Sequence, residues 1–317
     1  MKKFMRGANH SFNWLAALAM TLAVNWLLLC AGAVRAQDME PRLYSNVPVG
    51  MNFAIASVSK STGGLAVAAS LPLENAELKT ISPTLAYSHA FDAGGKLARV
   101  DFVGGWGALT GTAEAYGAPI SRDINGLIDP VVRVSVNLAG APALTLREFQ
   151  KYRQDVIIGF NVAVVVPLGQ YDPTRLLNLG GNRWIVQSEL GVSKALGPVT
   201  IEMGQAIGIF SVNSDYLGGN SRAQDPIFTT KANIIFSFRP NISAAVQGLY
   251  FIGGQSAING VKQDDRLSTS RVGATLTFGL NRYYSLKFFG SDGLSVRTGT
   301  SYTTFGTGLQ VRWGAGL

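Results

Sequence analysis

The feature that most constrains this chain is an alternation of apolar and polar residues with period two, repeated in many short segments. Such alternation marks a strand whose two faces meet different surroundings. In 131–138, Val132, Val134, Val136 and Leu138 share one face, and Arg133, Ser135 and Asn137 the other. In 271–280, Val272, Ala274, Leu276, Phe278 and Leu280 oppose Arg271, Thr275 and Thr277. In 304–313, Phe305, Leu309, Val311 and Trp313 oppose Thr304, Gly306, Gly308, Gln310 and Arg312. The expected strands are 50–60, 79–91, 96–108, 126–138, 154–166, 182–195, 198–212, 226–238, 242–253, 266–279, 283–290 and 301–313. Most have the roughly 9–11 residues with which a tilted strand crosses a bilayer.

The connections sharpen this reading. Tight ones (Asp92–Gly95, Leu196–Gly197, Arg239–Asn241, Asn281–Arg282) alternate with long polar ones at 61–78, 109–125, 167–181, 213–225, 254–265 and 291–300. A transmembrane barrel has this asymmetry, with short periplasmic turns at one end and longer external loops at the other. Charged residues are only 15% of the 317, and glycines number 37, which suits neither a coiled coil nor a disordered chain. Trp106, Trp184, Tyr250, Tyr283 and Trp313 fall at strand ends, where an interfacial girdle would lie. A soluble sandwich would also alternate, but closure of the sheet is what hydrocarbon demands of its edges. The expected fold is therefore all-β, an antiparallel transmembrane β-barrel of about twelve strands.

Residues 1–36 read as a secretory signal peptide. Lys2, Lys3 and Arg6 precede an apolar run from Trp14 to Val34, and Val34-Arg35-Ala36 offers a cleavage site after Ala36. A membrane anchor is the competing reading. A lipoprotein role for Cys30 is disfavoured because Leu29 precedes it. Residues 37–49 then form an extended N-terminal segment, and 50–317 the barrel, placed in the outer membrane of a Gram-negative cell. Removing the signal takes Lys2, Lys3, Arg6 and Arg35 from 27 basic residues, against 19 acidic, leaving a net charge of about +4. No basic run favours nucleic acid. The one cysteine leaves with the signal, and His89 alone remains of two histidines, which excludes a disulfide and a multi-histidine zinc site.

Catalysis is poorly supplied. His89 lies between Tyr87 and Phe91 on the lipid-directed or interfacial face, so a Ser-His-Asp hydrolase is disfavoured. Asp264 and Asp265 sit in an external loop, and Gly218-Gly219 and Gly253-Gly254 are turns without a phosphate-cradle context. No enzyme activity, cofactor or metal is expected. The inward faces carry Arg99, Asp101, Arg133, Glu189, Glu202, Lys231, Arg271 and Arg312. Two readings stand for these charges: they line a permeation path, or they pair and fill a narrow lumen.

Residues 139–153 should be a short turn but are long. Thr145 and Glu148 have capping-box spacing, and Leu146, Phe149 and Tyr152 recur at three-residue intervals. A short helix is expected there, either lying at the interface or narrowing the periplasmic mouth.

Several strings carry a resemblance: PRLYSNVPVGMNF, GQYDPTRLLNLGGNRW, SELGVSKALG, ING-VK-DD and VRTGTSYTTFGTGLQVRW. Together they resemble the outer-membrane transporter family labelled "Putative MetA-pathway of phenol degradation", from about Pro41 to Trp313. The resemblance implies passive uptake of small hydrophobic or aromatic compounds, with no catalytic residues. The matching positions are Tyr44, Asn46, Pro48 and Gly50, then Gly169, Tyr171, Asp172, Pro173, Asn178, Gly180, Asn182, Arg183 and Trp184. The second group either fixes turn geometry or folds inward as a constriction or gate. Segment 37–49 is a second candidate gate.

The alternative function is a structural or adhesive barrel with a sealed lumen. Expected partners are outer-membrane lipid, the barrel assembly machinery and a small-molecule substrate, and the barrel is expected to be a monomer. Trp313 is followed by Gly-Ala-Gly-Leu rather than ending the chain, which puts recognition through a terminal aromatic in question.

Overall fold

The computed structural model describes residues 40–66, 73–115, 118–175, 177–296 and 299–317. The expected signal peptide and cleavage site, residues 1–36, lie outside the described residues.

The strands are β1 (Met51–Ala66), β2 (Leu73–Asp92), β3 (Leu97–Ala115), β4 (Ala118–Leu127), β5 (Val131–Ala139), β6 (Val156–Val165), β7 (Ile185–Leu196), β8 (Val199–Phe210), β9 (Asn213–Tyr216), β10 (Asn220–Gln224), β11 (Ile227–Arg239), β12 (Ile242–Gly253), β13 (Ser256–Ile258), β14 (Val261–Lys262), β15 (Leu267–Gly279), β16 (Tyr284–Val296) and β17 (Gly299–Gly314). One helical turn, α1 (Leu146–Phe149), follows β5.

Thirteen of the strands form one antiparallel sheet that closes because β1 pairs with both β2 and β17. They make twelve staves, since β4 and β5 pair with β3 one above the other. Closure leaves no edge for hydrocarbon to meet along the ring. The expected strand 126–138 is thus two strands, interrupted at Ile128, Asp129 and Pro130. Proline has no N–H to give the ladder, so pairing lapses at Pro130.

The alternation in sequence becomes a two-sided wall. Outward residues such as Phe102, Trp106, Val134, Leu190, Ile234, Val246, Leu276 and Phe305 are exposed. Their neighbours Ser135, Glu189, Gln247, Arg271 and Thr304 are buried inside. Apolar side chains remain outside because hydrocarbon, not water, surrounds them there. Trp184 and Tyr250 are exposed on the wall toward one end, while Tyr87 and Trp313 pack at 6.2 Å near the other. His89 sits beside them, its Nδ1 2.8 Å from Asn52 Oδ1 and its ring stacked on Phe91, as an interfacial residue would.

The tight turns and both ends of the barrel chain gather at one end. At the opposite end the sequence reading needs correction. Segments 61–78, 109–125 and 291–300 are mostly strand, as tall hairpins β1–β2, β3–β4 and β16–β17. Their Ser, Thr and Gly residues keep pairing beyond the apolar band, since Ser61 joins Thr304 and Thr110 joins Asp123 through side chains. Segments 213–225 and 254–265 carry β9, β10, β13 and β14 as a separate four-stranded sheet.

Candidate functional site

Two pieces of chain occupy the lumen. From the end holding the turns, residues 40–50 run inward as a plug. Its turn at 41–44 places Arg42 at φ 68°, a backbone region few residues with side chains adopt. Contacts from the wall hold it there. Arg42 N donates to Glu202 Oε2 at 2.9 Å, and its Nη2 donates to Ser237 Oγ at 2.8 Å. Arg99 Nη2 donates to the Leu43 carbonyl at 2.6 Å, and Asn137 Nδ2 to the Tyr44 carbonyl at 3.1 Å. Arg133 Nη1 meets Glu40 Oε2 at 2.9 Å and lies 4.0 Å from Asp101.

Tyr44 is the centre of the plug, and only 3% exposed. Its ring lies on Gly159 and Gly191, which are cross-strand partners on β6 and β7. A Cβ at Gly159 would fall 2.0 Å from the ring, and one at Gly191 2.1 Å, so only glycine permits this approach. The Tyr44 hydroxyl donates to Glu189 Oε1 at 2.6 Å and accepts from Asn161 Nδ2 at 3.1 Å. Lys231 Nζ holds the other Glu189 oxygen at 2.6 Å. Burial, then the Glu189 carboxylate, push the Tyr44 hydroxyl above the usual phenol range, so it remains the donor. Beside the plug a small cavity of about 20 Å³ is lined by Glu40, Arg133, Glu202 and Asn233, among others.

The long turn 139–155 clamps the plug's base. Thr145 and Glu148 form the expected capping box, and Leu146, Phe149 and Tyr152 are partly covered together. Upstream of α1, the Leu144 carbonyl accepts from Val49 N at 2.8 Å, and the Pro142 carbonyl accepts from Asn46 Nδ2 at 3.2 Å. Ala141 packs with Leu43, Tyr44 and Ile157. Below, Val47 and Val49 join Met51, Ala90 and Leu97 in a second apolar cluster.

From the opposite end, residues 166–184 fold against the inner wall of β3 and β4. The anchor is Asp129, 3% exposed in the break between β4 and β5. Its Oδ1 accepts from Gly169 N at 2.8 Å and its Oδ2 from Gly181 N at 2.7 Å. Gly169 and Gly180 face one another so closely that a Cβ on Gly169 would sit 2.8 Å from the Gly180 Cα. Leu179 rests on Gly107, Leu177 on Gly111 and Gln170 on Gly126. Asp172 and Asn178 tie the loop's own turn: Thr174 donates twice to Asp172 Oδ1, and Asp172 N donates to Asn178 Oδ1. Those Thr174 bonds hold the Asp172 carboxyl below its ordinary range. Tyr171 and Asn182 reach Asn213, and Gly218 N donates to the Pro173 carbonyl. Arg183 donates to Gln224 and lies over the Phe210 ring, while Trp184 faces outward.

Of the eight inward charges read from sequence, Arg99, Asp101, Arg133, Glu189, Glu202 and Lys231 gather around the plug. Arg271 is held elsewhere, with its guanidinium 3.8 Å over Tyr302 and hydrogen-bonded to Ser291. Arg312 reaches the rim, where its Nε donates to the Arg282 carbonyl. Asn161, Gly159, Gly191 and Asp129 escaped the sequence reading. Inward parity marks the first three once the strands are drawn, and Asp129-Pro130 marks the break.

The fold and this interior define a class, the outer-membrane β-barrels of twelve strands with an apolar outside and a charged, occupied lumen. The chain belongs to the family described as "Putative MetA-pathway of phenol degradation", whose model matches residues 59–313. Among solved structures, an outer membrane channel from Pseudomonas putida F1 is similar at 21% identity, covering 87% of this chain and 100% of that one, with a TM-score of 0.72. The transport unit of the autotransporter AIDA-I from Escherichia coli aligns at 12% identity over 93% of this chain and 97% of that one, with a TM-score of 0.47. The KdgM porin, solved with disordered oligogalacturonate, aligns at 10% identity over 81% and 98%, with a TM-score of 0.44. No curated protein matches the chain.

Proposed function

We propose that this protein is an outer-membrane channel for passive uptake of small hydrophobic or aromatic compounds, and not an enzyme. The observation that carries the reading is the plug. A twelve-stranded wall encloses charged and polar side chains, yet the lumen is occupied by a segment, 40–50, that among the described residues is continuous with the barrel through Gly50. The wall and the 139–155 turn hold it by hydrogen bonds, the Arg133–Glu40 ion pair and the contact of the Tyr44 ring, all reversible. The chain would reach the outer membrane after cleavage near Ala36 and insertion by the barrel assembly machinery, and would work there as a monomer. The family's description and the likeness to a bacterial outer membrane channel support this assignment.

A second reading has its own observation. Lys231–Glu189 and Arg133–Glu40 are paired, which suits a sealed lumen in a structural barrel. Planar-bilayer recording of the mature protein and of a variant lacking 40–48 separates them. Larger steady conductance in the variant supports the channel. Silence from both, with folding verified, overturns it in favour of the sealed barrel.

A further inference from the structure

We propose that the slot filled by the Tyr44 ring is a binding subsite for phenols, and that Tyr44 is the internal occupant such a solute displaces. This rests on the uptake reading above and names the solute class for it.

The slot's floor carries no side chains. Gly159 and Gly191 lie side by side across the β6–β7 ladder, and the Glu189 side chain lies over the next glycine of the row, Gly204 on β8. The close approach of the ring to both first glycines makes the floor flat and bare, which suits a planar ring. Leu43 and Ile157 cluster with the ring and add apolar contact.

The polar end of the slot selects among flat rings. A phenol hydroxyl has one proton to give and lone pairs to share. Here Glu189 Oε1 takes the proton's hydrogen bond at 2.6 Å, and Asn161 Nδ2 supplies a donor at 3.1 Å. Glu189 is 3% exposed and Lys231 holds its second oxygen, so the acceptor is placed independently of Tyr44. Floor, acceptor and donor all stand on strands β6 to β8 and β11, not on the plug. When the plug withdraws, a site complementary to a phenol remains.

Tyr44 also sets the affinity. An occupant tethered to its site acts at a high effective concentration, so free phenols bind the intact protein weakly. Removing the ring exposes the site. The fitting probe is p-cresol, which is the tyrosine side chain without its backbone.

The experiment is calorimetric titration of p-cresol and toluene into the folded wild type and Tyr44→Ala in detergent. Heat-resistant gel migration verifies each barrel. Tyr44→Ala should bind p-cresol about tenfold or more tighter than toluene, because toluene leaves Glu189 and Asn161 unanswered. It should also bind p-cresol about tenfold or more tighter than the wild type does. Adding Gly191→Ala to Tyr44→Ala fills the slot without striking a ring, and p-cresol binding should be lost. Equal binding of p-cresol and toluene, or undiminished binding in the double variant, overturns the proposal. Liposome flux of p-cresol separates this inference from the uptake reading. Binding without flux in any variant sinks uptake and leaves the slot standing, whereas flux without binding in Tyr44→Ala sinks the slot alone.

Discussion

The plug and the inward loop fill the same lumen by opposite means. Among the described residues the plug joins the barrel through Gly50, the 139–155 turn clamps its base, and side chains of the wall hold the rest of its backbone and its Tyr44 ring. The loop is tied at both ends, between β6 and β7, and one wall carboxylate, Asp129, holds its backbone N–H groups. In the plug, glycines belong to the wall and receive a large side chain. In the loop they belong also to the loop itself, where Gly169 and Gly180 let two backbone stretches meet. A segment tied once and held by side chains can leave without deforming the barrel. A segment tied twice and anchored through its backbone is part of the frame. The proposed channel therefore assigns movement to the plug and a fixed narrowing to the loop.

The largest expected effect is on conductance. Deleting 40–48 should raise single-channel conductance well above that of Asp129→Ala. The reverse ranking would make the loop the gate. The two should exchange places in stability. Asp129→Ala removes two charge-assisted hydrogen bonds and leaves two N–H groups in a buried break, so denaturant unfolding should show a loss of about 3 kcal/mol. Tyr44→Phe probes the plug's polar hold by itself. It removes the hydrogen bond to Glu189, which keeps Lys231, and the one accepted from Asn161, so unseating should become easier by about 2 kcal/mol. Brief openings should grow more frequent in recordings, with the full-open level unchanged.

A smaller effect separates the charges near the plug from those away from it. Arg133→Gln loses its contact with Glu40 and leaves Asp101 facing the lumen, so the open channel should shift toward cation selectivity. Arg271→Gln should shift it in the same direction, because it also removes a positive charge from the lumen. However, it should not change how often the channel opens, as Arg271 bonds to Ser291 and Tyr302 rather than to the plug. Reversal potentials under a salt gradient read the first quantity, and opening frequency reads the second.

This contrast also explains what the sequence disclosed. Strand parity was legible throughout: Val134 against Ser135, Leu276 against Thr275 and Phe305 against Thr304 fall outside and inside as alternation requires. A strand in a barrel has only two faces, so period two suffices to sort them. The capping box at Thr145 and Glu148 was legible too, because capping is local. The tall hairpins were not. Above the apolar band both faces are wet, and sequences such as 109–125 lose their alternation while keeping their pairing. Nor was the Tyr44 slot legible, since 44, 159 and 191 meet only after β6 and β7 are in register. Asp129 was hidden by the same long-range dependence, because its partners Gly169 and Gly181 lie 40 and 52 residues away.

The smallest expected effect concerns the four residues after Trp313. They fold back on the plug's base: Ala315 N donates to the Gly50 carbonyl at 3.1 Å, and Ala315 and Leu317 pack against Met51, Ala90 and Leu97. Trp313 itself faces outward beside Tyr87, on the last strand, where an assembly signal would be read. Truncation after Trp313 should therefore leave the amount of folded barrel in the membrane unchanged. It should cost about 1 kcal/mol of stability, from one hydrogen bond and part of one apolar cluster. It should also loosen Gly50, where the plug joins β1, and raise opening frequency slightly. Loss of membrane-inserted protein would instead make the final Leu317 part of the assembly signal. Unchanged stability together with unchanged opening would mean that the plug's base holds without its C-terminal cover, and that the 139–155 turn and the side chains within the lumen keep it seated.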